Sequence, residues 1–556
     1  MFPSNIKLAE HHNLRATSGF DAIVIGAGHN GLTCGCYLAK AGLKVLVLEE
    51  YHSIGGMTIT EEITIPGFKS DVHAFGYQLA NISPVPDELN LANYGFELIY
   101  PEVSFSHIFP HGRSISMYRS LDKTMKSIRA FSTRDALTWH RLFTEYLSDR
   151  DKITSSINSP PIDLTKHLEK LGQQKLGEDS AKEFRRQIQS MRSWCEENFE
   201  SDEAKVVFGT FAAFVGLSPD DAGGGELCHL FASIIQDKGN NVVKGGFVNL
   251  PNALAKYIEA HGGSIMTDAR VTKILIENNK AIGVSLVNGK NILVRKLVVS
   301  STDPSTLVLK LIGEDYVDSY VMDCMKQYEW GDSIFGIYLA LDERLKYNSN
   351  PMVGESSQIH ISPPTLEYFS KIFYECRSGI VPNNPLSIMS NDSIIDPSRV
   401  PSSSDGNKHL VKFLILSVPY DIKVYNTDNN ESNKSLDWSH IKDRYSDQIV
   451  ESITNEYIPN LKKSIVKKVS YSPVDYETRP STCVRGTLSC GAVLPYQSGW
   501  MRPTSALSNY KIPSLHNVYL CGSGNHPGPG VSMAPGRNAA QIILADLGVS
   551  FKNLNA

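Results

Sequence analysis

Residues 20–57 change their hydrophobic period within a short span. Ile23, Val24 and Ile25 form an unbroken apolar run of the kind that fills a parallel strand buried on both faces. A glycine-rich turn follows, then a stretch of helical character, and residues 45–48 read as a second apolar strand. The pattern predicts strand, turn, helix and strand as one unit.

Further along the signals are shorter. Strands are predicted at 96–100 and 114–118, with helices beginning near Leu121 and at Ser132, where a serine N-cap is followed by Asp135 in the first turn. Residues 151–198 are polar and helical, broken at Pro160-Pro161, and their charges read as a solvated face. Composition then shifts at 206–217, VVFGTFAAFVGL. That segment is too short for a bilayer and reads either as a core helix or as part of an apolar tunnel or membrane-dipping lid. A helix opens at Gly223 to Gly225, and another over 247–259 stops at Gly262-Gly263.

ARVTKILIE, AIGVSLV and NILVRKLVVSS then read as three strands, the last two joined at Asn288-Gly289. Beyond them, strands are predicted at 333–341 and 410–418, with helices near Leu307, over PPTLEYFSKIF and over 438–457; residues 381–407 read as loops. A last buried strand at 518–521 leads through a glycine- and proline-rich turn into a helix starting near Pro535 or Gly536.

Composition narrows the class. With 556 residues, 41% hydrophobic and 20% charged, the chain reads as a folded protein of two or three interleaved domains. A formal net charge of -5 without a basic stripe leaves no footprint for nucleic acid. Nine cysteines without C-x-x-C spacing suggest neither a redox dithiol nor a metal site, and fit a reducing compartment. Cys34 and Cys36, two apart on a helix, face different directions. Residues 1–19 lack a secretory apolar core and read as a loose tail.

The first turn carries the clearest chemistry. Gly26, Gly28 and Gly31 follow the first strand in G-x-G-x-x-G spacing, which serves a tight turn, close approach to a pyrophosphate, and close packing of helix on strand. Glu49 ends the second strand eighteen positions after Gly31, where a carboxylate can hold a ribose. The doublet Gly55-Gly56 just after it lets the chain pass tightly over a flavin dinucleotide, so FAD is favoured over NAD. The three-strand meander points the same way, to a glutathione-reductase-like FAD domain.

IGAGHNGL, VLEEYHSIGGMTITEEI, VKGGFVNLPNALAKYIEAHGGSI and YLCGSGNHPGPGVSMAPGRNAA together resemble the phytoene-desaturase-related FAD oxidoreductases. The resemblance is strongest to the branch of the desaturase-type carotene ketolases and of pyridine nucleotide-disulfide oxidoreductase domain-containing protein 2, and SMYRSLDKTMKSIRAFSTRDA shares it. It fades between about 346 and 475. It implies one FAD and a substrate domain for long apolar molecules, often taken from a membrane. By the same resemblance Gly26, Gly28, Gly31 and Glu49 would hold the ADP part, Gly55 and Gly56 the pyrophosphate and ribityl region, and Val271 the adenine side. Gly522, Gly524, His526, Gly528 and Val531 would lie by the flavin. Before Arg502-Pro503 the chain departs from its relatives, with Arg485 where they tend to carry a histidine.

The fold expected is α/β: a discontinuous Rossmann FAD domain from 20–83, 241–305 and 513–556, with an inserted mixed α+β substrate domain from 84–240 and 306–512. The function expected is FAD-dependent desaturation, dehydrogenation or ketolation of a hydrophobic, isoprenoid or carotenoid-like substrate. A flavin amine oxidase, or a FAD-stabilised interaction protein with little turnover, is the alternative. His526 is a candidate base or hydrogen-bonding group, or else fixes the turn; Arg502 stabilises charge on reduced flavin, binds a polar substrate end, or forms a structural salt bridge. Peripheral membrane contact is one expectation about partners, and no metal is expected. The setting expected is cytoplasmic, with membrane association as a variant, or the mitochondrial matrix for a eukaryotic source.

Overall fold

The computed structural model describes residues 19–161, 178–402, 406–425, 437–479 and 483–554. The tail expected at 1–19 therefore lies almost wholly outside the described residues. The cofactor-side layer begins with β1 (Phe20–Ile25), α1 (His29–Lys40) and β2 (Val45–Leu48). It continues through α2 (Asn249–Ala260), β3 (Ser264–Met266) and the meander β4 (Val271–Glu277), β5 (Lys280–Leu286) and β6 (Asn291–Ser300). It closes with β7 (Val518–Leu520) and α3 (Ala534–Asp546).

Parallel pairing orders these strands β3-β2-β1-β6-β7, and β4-β5 attach antiparallel to the first half of β6. Strand β6 thus serves both parts, its start held by the meander and its end by the parallel core. Buried Ile23, Val24, Leu46, Val47, Val298 and Val299 explain why these strands read as unbroken apolar runs.

Eleven of the twelve residues of α1 are buried, because α2 and α3 both pack on it. Small residues allow the approach. A Cβ at Gly536 would lie 2.1 Å from the Asn30 carbonyl oxygen, and one at Gly35 would lie 3.0 Å from Ile258 Cδ1. Cys34 and Cys36 belong to this packing; Cys36 Sγ donates to the Leu254 carbonyl at 3.2 Å.

A second, mostly antiparallel sheet runs in the order Ile465–Tyr471, Ser333–Leu341, His409–Val418, Ser387–Ser390, Gln358–Ile361, Val103–Ile108, Ser114–Tyr118. Three of its inner strands were not legible in sequence. Ser387–Ser390 falls in a stretch read as loops, and Gln358–Ile361 and Val103–Ile108 carry serine, glutamine or histidine facing a buried interior. Some of these polar side chains find partners across the sheet, as where Ser106 Oγ meets Ser116 Oγ at 2.7 Å.

Segment 206–217 resolves as the helix Asp202–Ala213 and the turn after it. Ser201 caps that helix, and Val206, Val207, Phe208 and Phe211 lie in the core. Phe211 is 2% exposed, so the helix is a core element and offers no apolar face for a bilayer. Among the described residues no helix is long and apolar enough to cross a membrane.

Candidate functional site

The turn between β1 and α1 is built by contact as much as by conformation. A Cβ at Gly31 would sit 2.2 Å from the Gly26 carbonyl oxygen and 2.8 Å from Ser301 Oγ, so only glycine lets α1 start there. A Cβ at Gly28, in contrast, would meet nothing within 4 Å. That open space lies at the N-terminus of α1, whose cap residue is Gly28 and whose first turn carries no acid. Backbone N–H groups there face an open approach suited to an anion.

The Gly55-Gly56 doublet packs on this turn. Gly55 N donates to the Ala27 carbonyl at 2.9 Å, Gly28 and Gly55 form a parallel bridge, and a Cβ at Gly56 would lie 3.2 Å from Gly28 Cα. The spacing that suggested a flavin dinucleotide thus corresponds to a real contact between the two glycine motifs.

Glu49 is 7% exposed. Its Oε2 accepts from Ala27 N at 2.7 Å and its Oε1 from Tyr51 N at 3.0 Å. Burial raises its pKa, while the two backbone donors oppose that shift. Each oxygen retains a lone pair for a further donor.

These parts surround a cleft of about 420 Å³. Its walls include Glu49, Ala269 and Val271, the turn residues Gly26 and Gly28, and His29, Asn30, Met57 and Ser523. Two buried polar atoms here have no partner, His29 Nε2 and Asn30 Oδ1. Burial pushes the His29 pKa down to about 4, so its ring is neutral and can donate or accept. An anion-binding helix start, a carboxylate beyond the second strand and unpaired polar atoms in the wall fit an FAD molecule held in the cleft.

A second cavity of about 100 Å³ adjoins the first. Phe75, Leu79, Phe214, Val215, Phe231, Leu488 and Val531 make it apolar. His29, Met57 and Ser523 line both spaces, so the two meet at those side chains. Phe214 and Val215, from the turn after the helix Asp202–Ala213, bring the apolar segment into the site as lining.

The C-terminal turn is placed differently from its sequence reading. Gly522, Gly524 and Gly528 line neither space; they are the close-packed back of the loop. A Cβ would meet the Ser301 carbonyl oxygen at 2.7 Å from Gly522, Pro304 Cδ at 2.6 Å from Gly524, and Arg502 Nε at 3.2 Å from Gly528. Ser523, between two of these glycines, faces the cleft and accepts from Asn30 Nδ2 at 3.0 Å. Val531 lines the apolar cavity.

His526 and Arg502 stand outside both linings. His526 Nε2 lies 3.0 Å from the Ser156 carbonyl, and its own carbonyl accepts from Tyr510 O–H at 2.6 Å. Burial lowers its pKa, and the ring fixes the turn. Arg502 is fully buried and bonds only backbone carbonyls among the described residues, which corrects the salt-bridge expectation. Its guanidinium donates to the carbonyls of Ser489 at 2.7 Å, Ser523 at 3.1 Å, and Ala492 and Gln497 at 3.2 Å. It ties the loop 489–497 to the flavin-side turn.

Sequence reading missed His29, Asn30, Met57, Ser301 and Ser523. A signal existed for the first two, which occupy the variable positions of G-x-G-x-x-G and so begin α1. Met57 directly follows the Gly55-Gly56 doublet, and Ser301 and Ser523 come from distant segments.

Residues 31–375 match the family described as flavin containing amine oxidoreductase. One component of the limonene dehydrogenase of Castellaniella defragrans is 27% identical over 548 residues, covering 95% of this chain and 95% of its own. Pyridine nucleotide-disulfide oxidoreductase domain-containing protein 2 of Mus musculus is 28% identical over 576 residues, covering 96% and 95%. The neurosporene-forming phytoene desaturase of Rhodobacter capsulatus is 23% identical, covering 94% and 93%. Among solved structures, an oxidoreductase from Methanosarcina mazei shares the fold, with a TM-score of 0.58 at 16% identity over 95% of this chain and 100% of its own. Family, relatives and cleft agree: the chain belongs to the flavin containing amine oxidoreductase family, on its phytoene-desaturase-related side, and is an FAD-dependent oxidoreductase.

Proposed function

We propose that the protein dehydrogenates a compact apolar molecule of isoprenoid type held in the cavity beside the flavin. The observation that carries this reading is the shared wall of cleft and cavity at His29, Met57 and Ser523. FAD supplies a two-electron hydride acceptor when bound. Phe75, Leu79, Phe214 and Phe231 would hold a hydrocarbon surface and exclude water, and Met57 would set how near it comes.

Size refines the class. A cavity of about 100 Å³ is below the roughly 150 Å³ that encloses a single benzene ring. A small ring would therefore extend through the shared wall at His29, Met57 and Ser523, and a carotenoid would place only one end of its length there. A relative of nearly equal length is named for limonene, a compact isoprenoid, and another for phytoene, a long one. The cavity favours the compact class.

The amine-oxidase alternative finds less support. Among the described residues no Asp or Glu lines the cavity. Phe75 already carries a cation, since Lys412 Nζ lies 4.0 Å from its ring centroid. Anaerobic mixing of the yellow holoprotein with limonene, with a C40 carotene and with putrescine tests the reading. Bleaching of the flavin by the first alone is expected; bleaching by putrescine alone would overturn it. A product that gained oxygen would show ketolation in place of dehydrogenation.

A further inference from the structure

Five polar side chains line the apolar cavity: His29, His73, Gln78, Ser489 and Ser523. Three are hydrogen-bonded, and His29, whose Nε2 also lacks a partner among the described residues, faces the flavin cleft. Ser523 accepts from Asn30. Gln78 Nε2 donates to Gln358 Oε1 at 2.8 Å, and Ser489 Oγ donates to the Val215 carbonyl at 3.3 Å. His73 is the remainder. It is 1% exposed, and neither Nδ1 nor Nε2 has a hydrogen-bond partner.

Its neighbours are held in place from outside the cavity. Val72 N donates to the Ile59 carbonyl, and the Val72 carbonyl accepts from Tyr338 O–H. Lys412 Nζ donates to the carbonyls of Asp71 at 2.9 Å and Ala74 at 2.6 Å. The ring itself packs 5.1 Å from that of Tyr476, centroid to centroid. A buried imidazole with both nitrogens unpaired is costly unless something else meets them.

The surroundings also fix its charge. Burial, then the charges of Lys412 and Arg479, push the His73 pKa down to about 3, so the ring is neutral at ordinary pH. A neutral ring offers one N–H donor and one lone pair, whichever tautomer it adopts. The same two cations disfavour an ammonium group beside it, and among the described residues no carboxylate lines the cavity to receive one.

We propose that His73 is a specificity-determining residue that hydrogen-bonds a single neutral oxygen, a hydroxyl or carbonyl, on an otherwise hydrocarbon substrate. The proposal rests on the reading of the cavity as the site for a compact apolar substrate, and it narrows that class to oxygenated molecules. A hydroxyl is the fuller match, because it accepts from one tautomer and donates to the other. A carbonyl accepts from the ring N–H alone.

Three size-matched probes separate the cases: 1-ethylcyclohexene, cyclohex-1-enylmethanol and cyclohex-1-enylmethylamine. Each is titrated at pH 7.5 into oxidised holoprotein, and binding is read from the perturbed flavin absorption. The alcohol should bind about tenfold more tightly than the hydrocarbon, and the protonated amine more weakly than both. A hydroxyl entering the cavity without a partner would instead bind more weakly than the hydrocarbon.

In His73→Phe the alcohol should lose its preference, so that it binds no more tightly than the hydrocarbon does to the same variant, and the melting temperature of the holoprotein should not drop. A purely structural histidine would lower the melting temperature and leave the alcohol preference intact. His73→Gln keeps a donor and an acceptor and should retain part of the preference, which decides the matter should the Phe variant fail to fold. Equal binding of alcohol and hydrocarbon to the unaltered protein overturns the proposal while sparing the apolar-substrate reading. Binding of the amine alone, or of no probe, overturns both.

Discussion

The Glu49 carboxylate accepts a hydrogen bond from the backbone N–H of Ala27 at 2.7 Å, joining the acid after β2 to the glycine turn after β1. The acid therefore shapes the turn as well as facing the cleft. Glu49→Ala should leave the N–H groups of Ala27 and Tyr51 without their acceptor, at about 1–3 kcal/mol each. The purified variant is expected to lose its flavin on desalting and to melt at a lower temperature. A full flavin complement after desalting would refute this role.

Two glycines of one motif should behave in opposite ways. Gly31→Ala drives a methyl into the Gly26 carbonyl oxygen and should cost about 2–3 kcal/mol of stability. Gly28 has φ -68 and ψ 164, which alanine adopts freely, and open space where a Cβ would go. Gly28→Ala should fold normally as apoprotein and yet bind FAD at least tenfold more weakly, because its methyl enters the pyrophosphate approach. Thermal melts without flavin, paired with flavin titrations, separate the two effects.

Arg502→Met should lower stability by about 3 kcal/mol or more, since it removes a charged donor shared by several buried carbonyls. The loop 489–497 carries Ser489 into the apolar cavity, so ligand binding should weaken with it. Arg502→Lys should recover only part of the loss, because an ammonium cannot span the same fork of carbonyls. Urea midpoints of the three proteins give the comparison.

Lys412 supplies a pH dependence. Burial pulls its pKa from 10.5 down to about 8, with Asp392 and Asp71 opposing the shift. Between those values the unfolded chain binds more protons than the folded one, so this group's contribution to stability rises with pH. That contribution is fully present above 10.5 and lost as pH falls through about 8. Lys412→Met should flatten the stability curve over this window relative to the unaltered protein, as read from urea midpoints at several pH values. An unchanged slope would mean that Lys412 titrates normally.

The first βαβ unit and the meander were legible because their determinants are local. An unbroken apolar run, three glycines at fixed offsets and an Asn-Gly turn each act within a few residues, and β1, α1, β2 and β4 to β6 formed where those signals lay. Ser387–Ser390 and Val103–Ile108 were not legible, because their polar residues break the apolar pattern and their backbones pair with strands such as Gln358–Ile361 that distant segments supply.

The site divides along the same line. Sequence alone determined the cofactor, since Gly26, Gly28, Gly31, Glu49 and the Gly55-Gly56 pair encode backbone approach and charge within one short stretch. Only tertiary structure decided what faces what. It turned Gly522, Gly524 and Gly528 to the back of a loop, set Ser523 toward the cleft, pinned His526 and Arg502 on carbonyls, and left His73 unpaired beside Phe214 and Phe231. Side-chain direction and partnership depend on which distant segments pack together, and spacing along the chain carries no record of that.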